Sequence, residues 1–273
     1  MTYAGQTIWI TGASSGIGAA LSRAFAAQGA AVVLSGRNLA ALSEVAAQCG
    51  EALVLPFEST DYAAIPALAN TAWDWRGGID CLINNAWISQ RSLAVDSDFA
   101  VYERIVAVDL LAPIALTQQI LPRMAARGSG RLAFVSSVAG KVGVPLRSAY
   151  CAAKFGIIGY ADSVRAETAH RGIQVHSIIP GSIRTDVSRN ALTADGSRRG
   201  ASDSVIDNGI DPDEAALKML DSMLAGEREI VVARGVEEQM AETRRTPGAL
   251  FDQVAALMAG GYAERMKAEA EEN

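Results

Sequence analysis

"TIWITGASSGIG", residues 7–18, runs from a short apolar strand-like segment into three glycines and then into the Ala-rich stretch "AALSRAFAAQGA" at 19–30. Thr7–Ile10 reads as a buried strand and the segment from Gly16 onward as a helix, so the glycines occupy a strand-to-helix turn. Glycine permits positive φ and close backbone approach. The following helix N-terminus offers unpaired N–H groups and a partial positive charge. Together these make a cradle for a dinucleotide pyrophosphate, with Gly12, Ser14, Ser15, Gly16, Ile17 and Gly18 as its candidate residues. The competing reading is a tight turn that serves the fold alone.

The same alternation continues outward. Further candidate strands are Ala31–Ser35, Ala52–Leu55, Ile79–Ile83, Arg131–Ser136, Val175–Ile179 and Glu229–Val232, with helices expected to begin near Leu39, Tyr62, Ser97, Ala149 and Pro212. Apolar strands alternating with helices predict a parallel sheet joined by right-handed crossovers. The expected fold is α/β: a single-domain, doubly wound Rossmann sheet of about seven strands with helices on both faces. Residues 1–235 would form the dinucleotide-binding and catalytic domain, and 236–273 a C-terminal helical extension ending in a charged run. Residues 182–209 are polar and irregular, and a long insert after a strand reads as a lid over substrate.

Composition narrows the function. The 273 residues carry a net charge of -6, which argues against nucleic acid or an anionic membrane surface as partner. Cys49, Cys81 and Cys151 stand singly, without metal-ligand or disulfide-framework spacing, so no metal site is expected and a reducing compartment is. No apolar run approaches the ~20 residues of a membrane span, and "MTYAGQT" shows no signal-peptide pattern. The expected location is cytoplasmic.

After the second candidate strand, "LSGRN" places Arg37 where a carboxylate would bind an adenosine ribose 2′-OH. A guanidinium suits a 2′-phosphate, and Ser14 can add a hydroxyl donor. NADP is therefore the expected cofactor, with NAD possible.

"AYCAAK" sets Tyr150 and Lys154 four residues apart, on one face of a helix. Free tyrosine ionises near pH ~10 and a neighbouring ammonium favours its phenolate. Bringing the phenol to neutrality takes roughly 4 kcal/mol of differential stabilisation, more than one lysine is expected to supply without the cofactor's own charge. Ser137 stands thirteen residues before the tyrosine, at the end of the fifth strand, where its hydroxyl can bond a carbonyl oxygen.

On these motifs the chain resembles the short-chain dehydrogenase/reductase family from about Thr7 to Val232. The shared features are the TGxxxGxG turn at 11–18, the NNAG-like segment at 84–87, Ser137, the YxxxK at 150–154 and "PGSIRT" at 180–185. "ISQRSL", "VSSVAGKVGVPLRSAY" and "IRTDVSRNALTADGS" are similar to its 11β-hydroxysteroid dehydrogenase-like branch, whose common N-terminal anchor is not visible here. The resemblance implies that Tyr150 is the general acid/base, that Ser137 orients the carbonyl and that Lys154 also binds the nicotinamide ribose. Asn85, Ala86, Pro180, Gly181, Ile183 and Thr185 would contact the cofactor. It implies reversible hydride transfer between a ketone or aldehyde and an alcohol, in a homodimer or homotetramer. Val144, Pro145 and Leu146 favour an apolar substrate, while Arg184, Arg189, Arg198 and Arg199 in the lid leave a β-ketoacyl or sugar-like one open.

Three residues depart from the family pattern. Trp87 stands for a glycine, Asp109 for an asparagine that holds a water in a proton relay, and Glu58 for an aspartate beside the adenine. Asp109 can still accept from that water, and its charge would hold Lys154 protonated while partly offsetting the lysine's effect on Tyr150. Trp87 is expected to fill core, to wall the cofactor or substrate pocket, or to impair cofactor binding. Trp87 and Asp109 together motivate an alternative function, a weakly active or inactive dinucleotide-binding scaffold.

Overall fold

A computed structural model describes residues 2–262. Its strands are β1 (Thr7–Thr11), β2 (Ala31–Ser35), β3 (Ala52–Val54), β4 (Cys81–Asn84), β5 (Gly130–Val135), β6 (Ile173–Pro180) and β7 (Glu229–Val232). The helices are α1 (Gly16–Ala27), α2 (Leu39–Ala46), α3 (Ile65–Asp74), α4 (Phe99–Val106), α5 (Ala112–Arg127), α6 (Ser148–Thr168), α7 (Ser204–Asp207), α8 (Pro212–Leu224), α9 (Val236–Thr243) and α10 (Gly248–Ala259). All seven strands pair in parallel, in the order β3-β2-β1-β4-β5-β6-β7.

Period-2 alternation divides the core between the two faces of the sheet. Ile8 and Ile10 of β1 join Leu21, Leu34, Ile83, Met219 and Ile230 on the α1/α8 side. Trp9 points to the other side, with Val33, Leu82, Ile120, Phe134 and Ile157. Its indole N–H is not wasted there: it donates to Ser35 Oγ at 2.9 Å, and that hydroxyl donates to Leu55 O at 2.8 Å.

Several boundaries differ from the sequence expectation for identifiable reasons. Ile79 is fully buried but lies before β4, because Asp80 turns its carboxylate to Thr7 N (2.8 Å) and to Arg127 (3.2 Å). Helix α3 starts at Ile65 rather than near Tyr62, since Asp61 caps the turn through Ala64 N at 3.3 Å and Pro66 fills the first helical turn. Ser97 remains outside α4; its hydroxyl is taken by Gln90 and Ser92. The 182–209 segment is less irregular than its composition suggests. It contains α7 and is bridged to the body at Gln90↔Leu192 and Ile183↔Ile210.

Helices α4 and α5 form one continuous rod, widened by a π-helical turn at Ala107–Leu111. Beyond β7, α9 and α10 fold back on the body: Arg165 lies 4.4 Å from the Phe251 ring and Arg228 pairs with Asp252 at 2.6 Å. The charged end of the expected extension, 263–273, lies outside the described residues. Among the described residues no helix is long and apolar enough to cross a membrane, no acidic, His or Cys cluster could hold a metal, and the three cysteines are free and buried.

Candidate active site

The strand order reverses between β1 and β4, and the carboxyl ends of these strands open on a cleft of about 680 Å³. The glycine turn shapes its floor, each glycine for its own reason. At Gly12, with φ +66°, a Cβ would lie 2.8 Å from Ala86 Cα; at Gly16, φ +52°, it would lie 2.9 Å from Thr185 Cγ2. At Gly18 a Cβ would sit 2.1 Å from Gly12 O, so this residue packs the helix onto the turn and does not line the cleft. A bare backbone at 12 and 16 beside the N-terminus of α1 fits a pyrophosphate.

Thr11, which sequence reasoning passed over, ties the two strand ends together. Its hydroxyl accepts from Asn85 N and Ala86 N, both at 3.0 Å, and Asn85 Nδ2 donates to Thr11 O at 2.9 Å. Ser14, Ser15, Ile17, Arg37 and Glu58 line the same cleft. Arg37 is mostly exposed and faces Glu58 at 3.6 Å, so the guanidinium expected to favour NADP has a carboxylate beside it.

A second, mostly apolar pocket of about 340 Å³ adjoins the cleft through Ile17, Trp87, Ser89, Thr185 and Val187, which line both. Ser137, Tyr150, Pro180, Gly181 and Ile183 line it. Ser137 follows β5 and accepts from Ala139 N at 3.1 Å, which fixes its rotamer; Tyr150 sits in the first turn of α6. The placement of α6 depends on another residue invisible in the sequence. Buried Gln90 accepts from Ala149 N at 2.9 Å while its amide donates to Ser92 and Ser97, pinning the start of α6 to the loop after β4.

Lys154 and Asp109 lie behind this wall, both buried. Lys154 Nζ donates to Val135 O at 3.0 Å and stands 3.5 Å from Asp109 Oδ2. The other Asp109 oxygen accepts from Ile88 N at 2.9 Å, so the carboxylate holds the loop that follows β4. Burial raises the Asp109 pKa to about 6 despite the nearby ammonium, and burial lowers that of Lys154 against the pull of Asp109. For Tyr150, burial is the largest influence and raises the pKa; the Asp109 charge raises it further, while Ser137, Arg147 and Arg91 lower it. Burial therefore works against the phenolate, and the charges of Arg147 and Arg91 do not offset it.

Trp87 forms a wall of the pocket. It packs as a partly buried residue against the cluster of Val101, Ile105 and Ala149, and its ring lies 5.6 Å from that of Tyr150. Lys154 Nζ stands 5.4 Å from both ring centres, within reach of a cation–π interaction. The backbone does not demand glycine at 87; among the described residues the one non-glycine with positive φ is Leu146, at 65°.

A parallel doubly wound sheet with a glycine cradle at its switch point, opening on a Ser/Tyr pocket, defines a dinucleotide-binding oxidoreductase. The model of the short chain dehydrogenase family matches residues 6–196, and the chain belongs to that family of NAD(P)-dependent oxidoreductases. Dehydrogenase/reductase SDR family member 7B of Danio rerio is 35% identical over 238 residues, covering 84% of this chain and 77% of its own. A dehydrogenase/reductase SDR family protein 7-like of Drosophila melanogaster is 38% identical over 241 residues, covering 84% and 73%. Among solved structures, a short-chain dehydrogenase from Streptomyces avermitilis superposes with a TM-score of 0.76 at 26% identity, over 96% of this chain and 99% of its own. A Beutenbergia cavernae protein whose structure holds NADP at low occupancy gives a TM-score of 0.71 at 25% identity, over 85% and 95%.

Proposed function

We propose that the protein is an NADP-dependent reductase that interconverts an apolar ketone or aldehyde and its alcohol. The observation that carries this reading is that Ser137 and Tyr150 line one apolar pocket that opens into the glycine-floored cleft. NADPH, when bound, would supply the hydride and leave as NADP+. Gly12, Ser14, Ser15, Gly16 and Ile17 would hold its phosphates, Arg37 its 2′-phosphate, and Asn85, Ala86 and Thr185 its ribose and nicotinamide. Glu58 would lie toward the adenine.

The protein's own part is to orient a carbonyl and to move one proton. Ser137 donates a hydrogen bond to the carbonyl oxygen, and the protonated Tyr150 phenol stands ready as the acid. A high phenol pKa suits reduction, since at neutral pH the group already carries the proton it must give. Lys154, held by Val135 O and Asp109, stabilises the tyrosinate left behind. The apolar lining by Val138, Val142, Val144 and Pro145 favours a hydrophobic substrate.

A homo-oligomer is supported by the exposed Phe99 and Leu111 on the α4–α5 rod and Phe155 on α6. A cytoplasmic setting is supported by the three free, buried thiols. The engagement of Lys154 by protein groups on two sides favours the second reading, a dinucleotide-binding scaffold with little turnover. NADPH oxidation across a panel of ketones separates the two. Turnover that Tyr150→Phe abolishes supports the reductase, and cofactor binding without turnover on any ketone supports the scaffold.

A further inference from the structure

The pocket beside Tyr150 is apolar along most of its wall but cationic at one end. Arg91 and Arg147 both line it together with Tyr150, and the positive charge of each favours the Tyr150 phenolate. Around them a single carboxylate, Asp203, faces three guanidiniums: Arg91 at 2.8 Å, Arg199, and Arg147 at 3.9 Å. One carboxylate against three guanidiniums leaves this cluster net positive.

The shares are unequal. Asp203 Oδ2 accepts from Arg91 Nε at 2.8 Å and from Ser188 Oγ at 2.6 Å, and Oδ1 is taken by Arg199 Nη1. Arg91 is then completed by Ser89 Oγ at 3.0 Å and Gln90 O at 2.8 Å, with its side chain only 8% exposed. Arg147 is left over. Its 3.9 Å approach to Asp203 is beyond hydrogen-bond distance, and among the described residues no acceptor is hydrogen-bonded to its guanidinium. The carboxylate that does line the pocket, Glu237, has both oxygens engaged by Ser182, at 2.7 Å from its N and 2.9 Å from its Oγ. Arg147 is thus a positioned cation with open donors, next to a buried arginine that already repels it, and an anion is the partner that would relieve both conditions.

We propose that the substrate is a carbonyl compound with an apolar body and an anionic group, carboxylate or phosphate, which Arg147 binds at the Arg91 end of the pocket. Arg147 is then the specificity-determining residue, with Arg91, held by Asp203, as the second cation at that end. This rests on the carbonyl reading above and deepens it. The carbonyl lies between Ser137 and Tyr150, the apolar body against Val142, Val144 and Met240, and the anion on Arg147.

The test compares matched pairs: 4-oxo-4-phenylbutanoate against its methyl ester, and phenacyl phosphate against 2-hydroxyacetophenone. Each is titrated calorimetrically into the full-length enzyme with NADP+ and assayed as a substrate with NADPH. We expect the charged member of one pair to bind about 10- to 100-fold more tightly than its neutral partner. Which pair shows the preference identifies carboxylate or phosphate. Arg147→Gln should bring that ratio near one, and Arg147→Lys should retain part of it. Equal binding of charged and neutral members in both pairs, absence of binding by all four, or a preference that survives Arg147→Gln overturns the proposal. Because binding is read without turnover, these outcomes stay distinct from failure of the reductase reading, which the neutral ketones with NADPH and Tyr150→Phe report.

Discussion

The carboxylate of Asp109 lies 3.5 Å from the ammonium of Lys154, both groups shut away from solvent and both next to the acid/base candidate Tyr150. The pair sets the charge behind the tyrosine. Since burial lifts the Asp109 pKa to about 6, the carboxylate is neutral in mild acid and charged at neutral pH, where it works against the tyrosinate.

The first prediction is therefore a pH profile. In the wild type, kcat for ketone reduction should show a titration near pH 6 in addition to the tyrosine's own, and Asp109→Asn should remove it. Loss of the negative charge should also move the tyrosine limb to lower pH. The same group has a stability signature. Its raised pKa makes a favourable contribution that is complete below the ordinary carboxylate range and is lost as pH rises through about 6. Urea denaturation at pH 4.5 and pH 7 should show Asp109→Asn gaining on the wild type at the higher pH. Superimposable pH profiles for the two proteins would remove the argument.

Trp87 stands with its ring 5.6 Å from that of Tyr150 and 5.4 Å from Lys154 Nζ, and it walls the apolar pocket proposed for substrate. Replacing it by glycine deletes about 1.5–3 kcal/mol of apolar contact, so KM for a bulky aryl ketone should rise roughly tenfold or more. KM for NADPH should change less than threefold, about 0.7 kcal/mol, because position 87 does not need glycine's backbone freedom. Steady-state kinetics with both substrates varied will check this. A fall in KM for NADPH would mean that the indole crowds the cofactor instead.

Cofactor choice should depend on the balance between Arg37 and Glu58, 3.6 Å apart and both accessible. Arg37→Ala should lower the kcat/KM preference for NADPH over NADH by about 10- to 100-fold, the loss of one charge-assisted contact. Glu58→Gln should act in the opposite direction, since it frees the guanidinium and removes a charge that repels a 2′-phosphate. Equal use of both cofactors by the wild type would contradict the NADP assignment.

Away from the site, Lys141 and Glu229 form a buried ion pair at 2.8 Å beneath the C-terminal helices. Lys141 also donates to Arg244 O at 3.3 Å. Lys141→Met should destabilise the fold by about 3–5 kcal/mol, because it strands a buried carboxylate, whereas Lys141→Met with Glu229→Leu should recover much of the loss. Chemical denaturation of the two variants measures the difference.

The sheet was legible because strands buried on both faces leave a simple trace, apolar runs of the right length between Ala-rich helices. The glycine turn was legible for a stricter reason. Close approach of Ala86, Thr185 and Gly12 O to positions 12, 16 and 18 leaves no room for a side chain, so geometry writes itself into residue identity. Tyr150 and Lys154 were readable as a pair because helical spacing is local. What escaped depends on contacts across long stretches of chain. Gln90 meets Ala149 and Arg91 meets Asp203 only once the fold has formed, and neither residue type signals a role by itself. The net shift of Tyr150 was not legible for a related reason. A neighbour's charge can be read from spacing, but the depth of burial that outweighs it cannot.

The π-helical turn at Ala107–Leu111 amounts to one extra residue inserted in an otherwise regular rod. Within it Asp109 faces Lys154 and Ile88; beyond it Thr117 accepts from Asn84 Nδ2 at 3.1 Å. A residue removed from an α-helix turns everything downstream by about 100°. The extra residue therefore works as a phase adjuster, letting one helix present two anchors, to the end of β4 and to the loop after it, that regular spacing would aim in different directions. Deleting a single residue here would leave the composition of the site intact and put its two halves out of step.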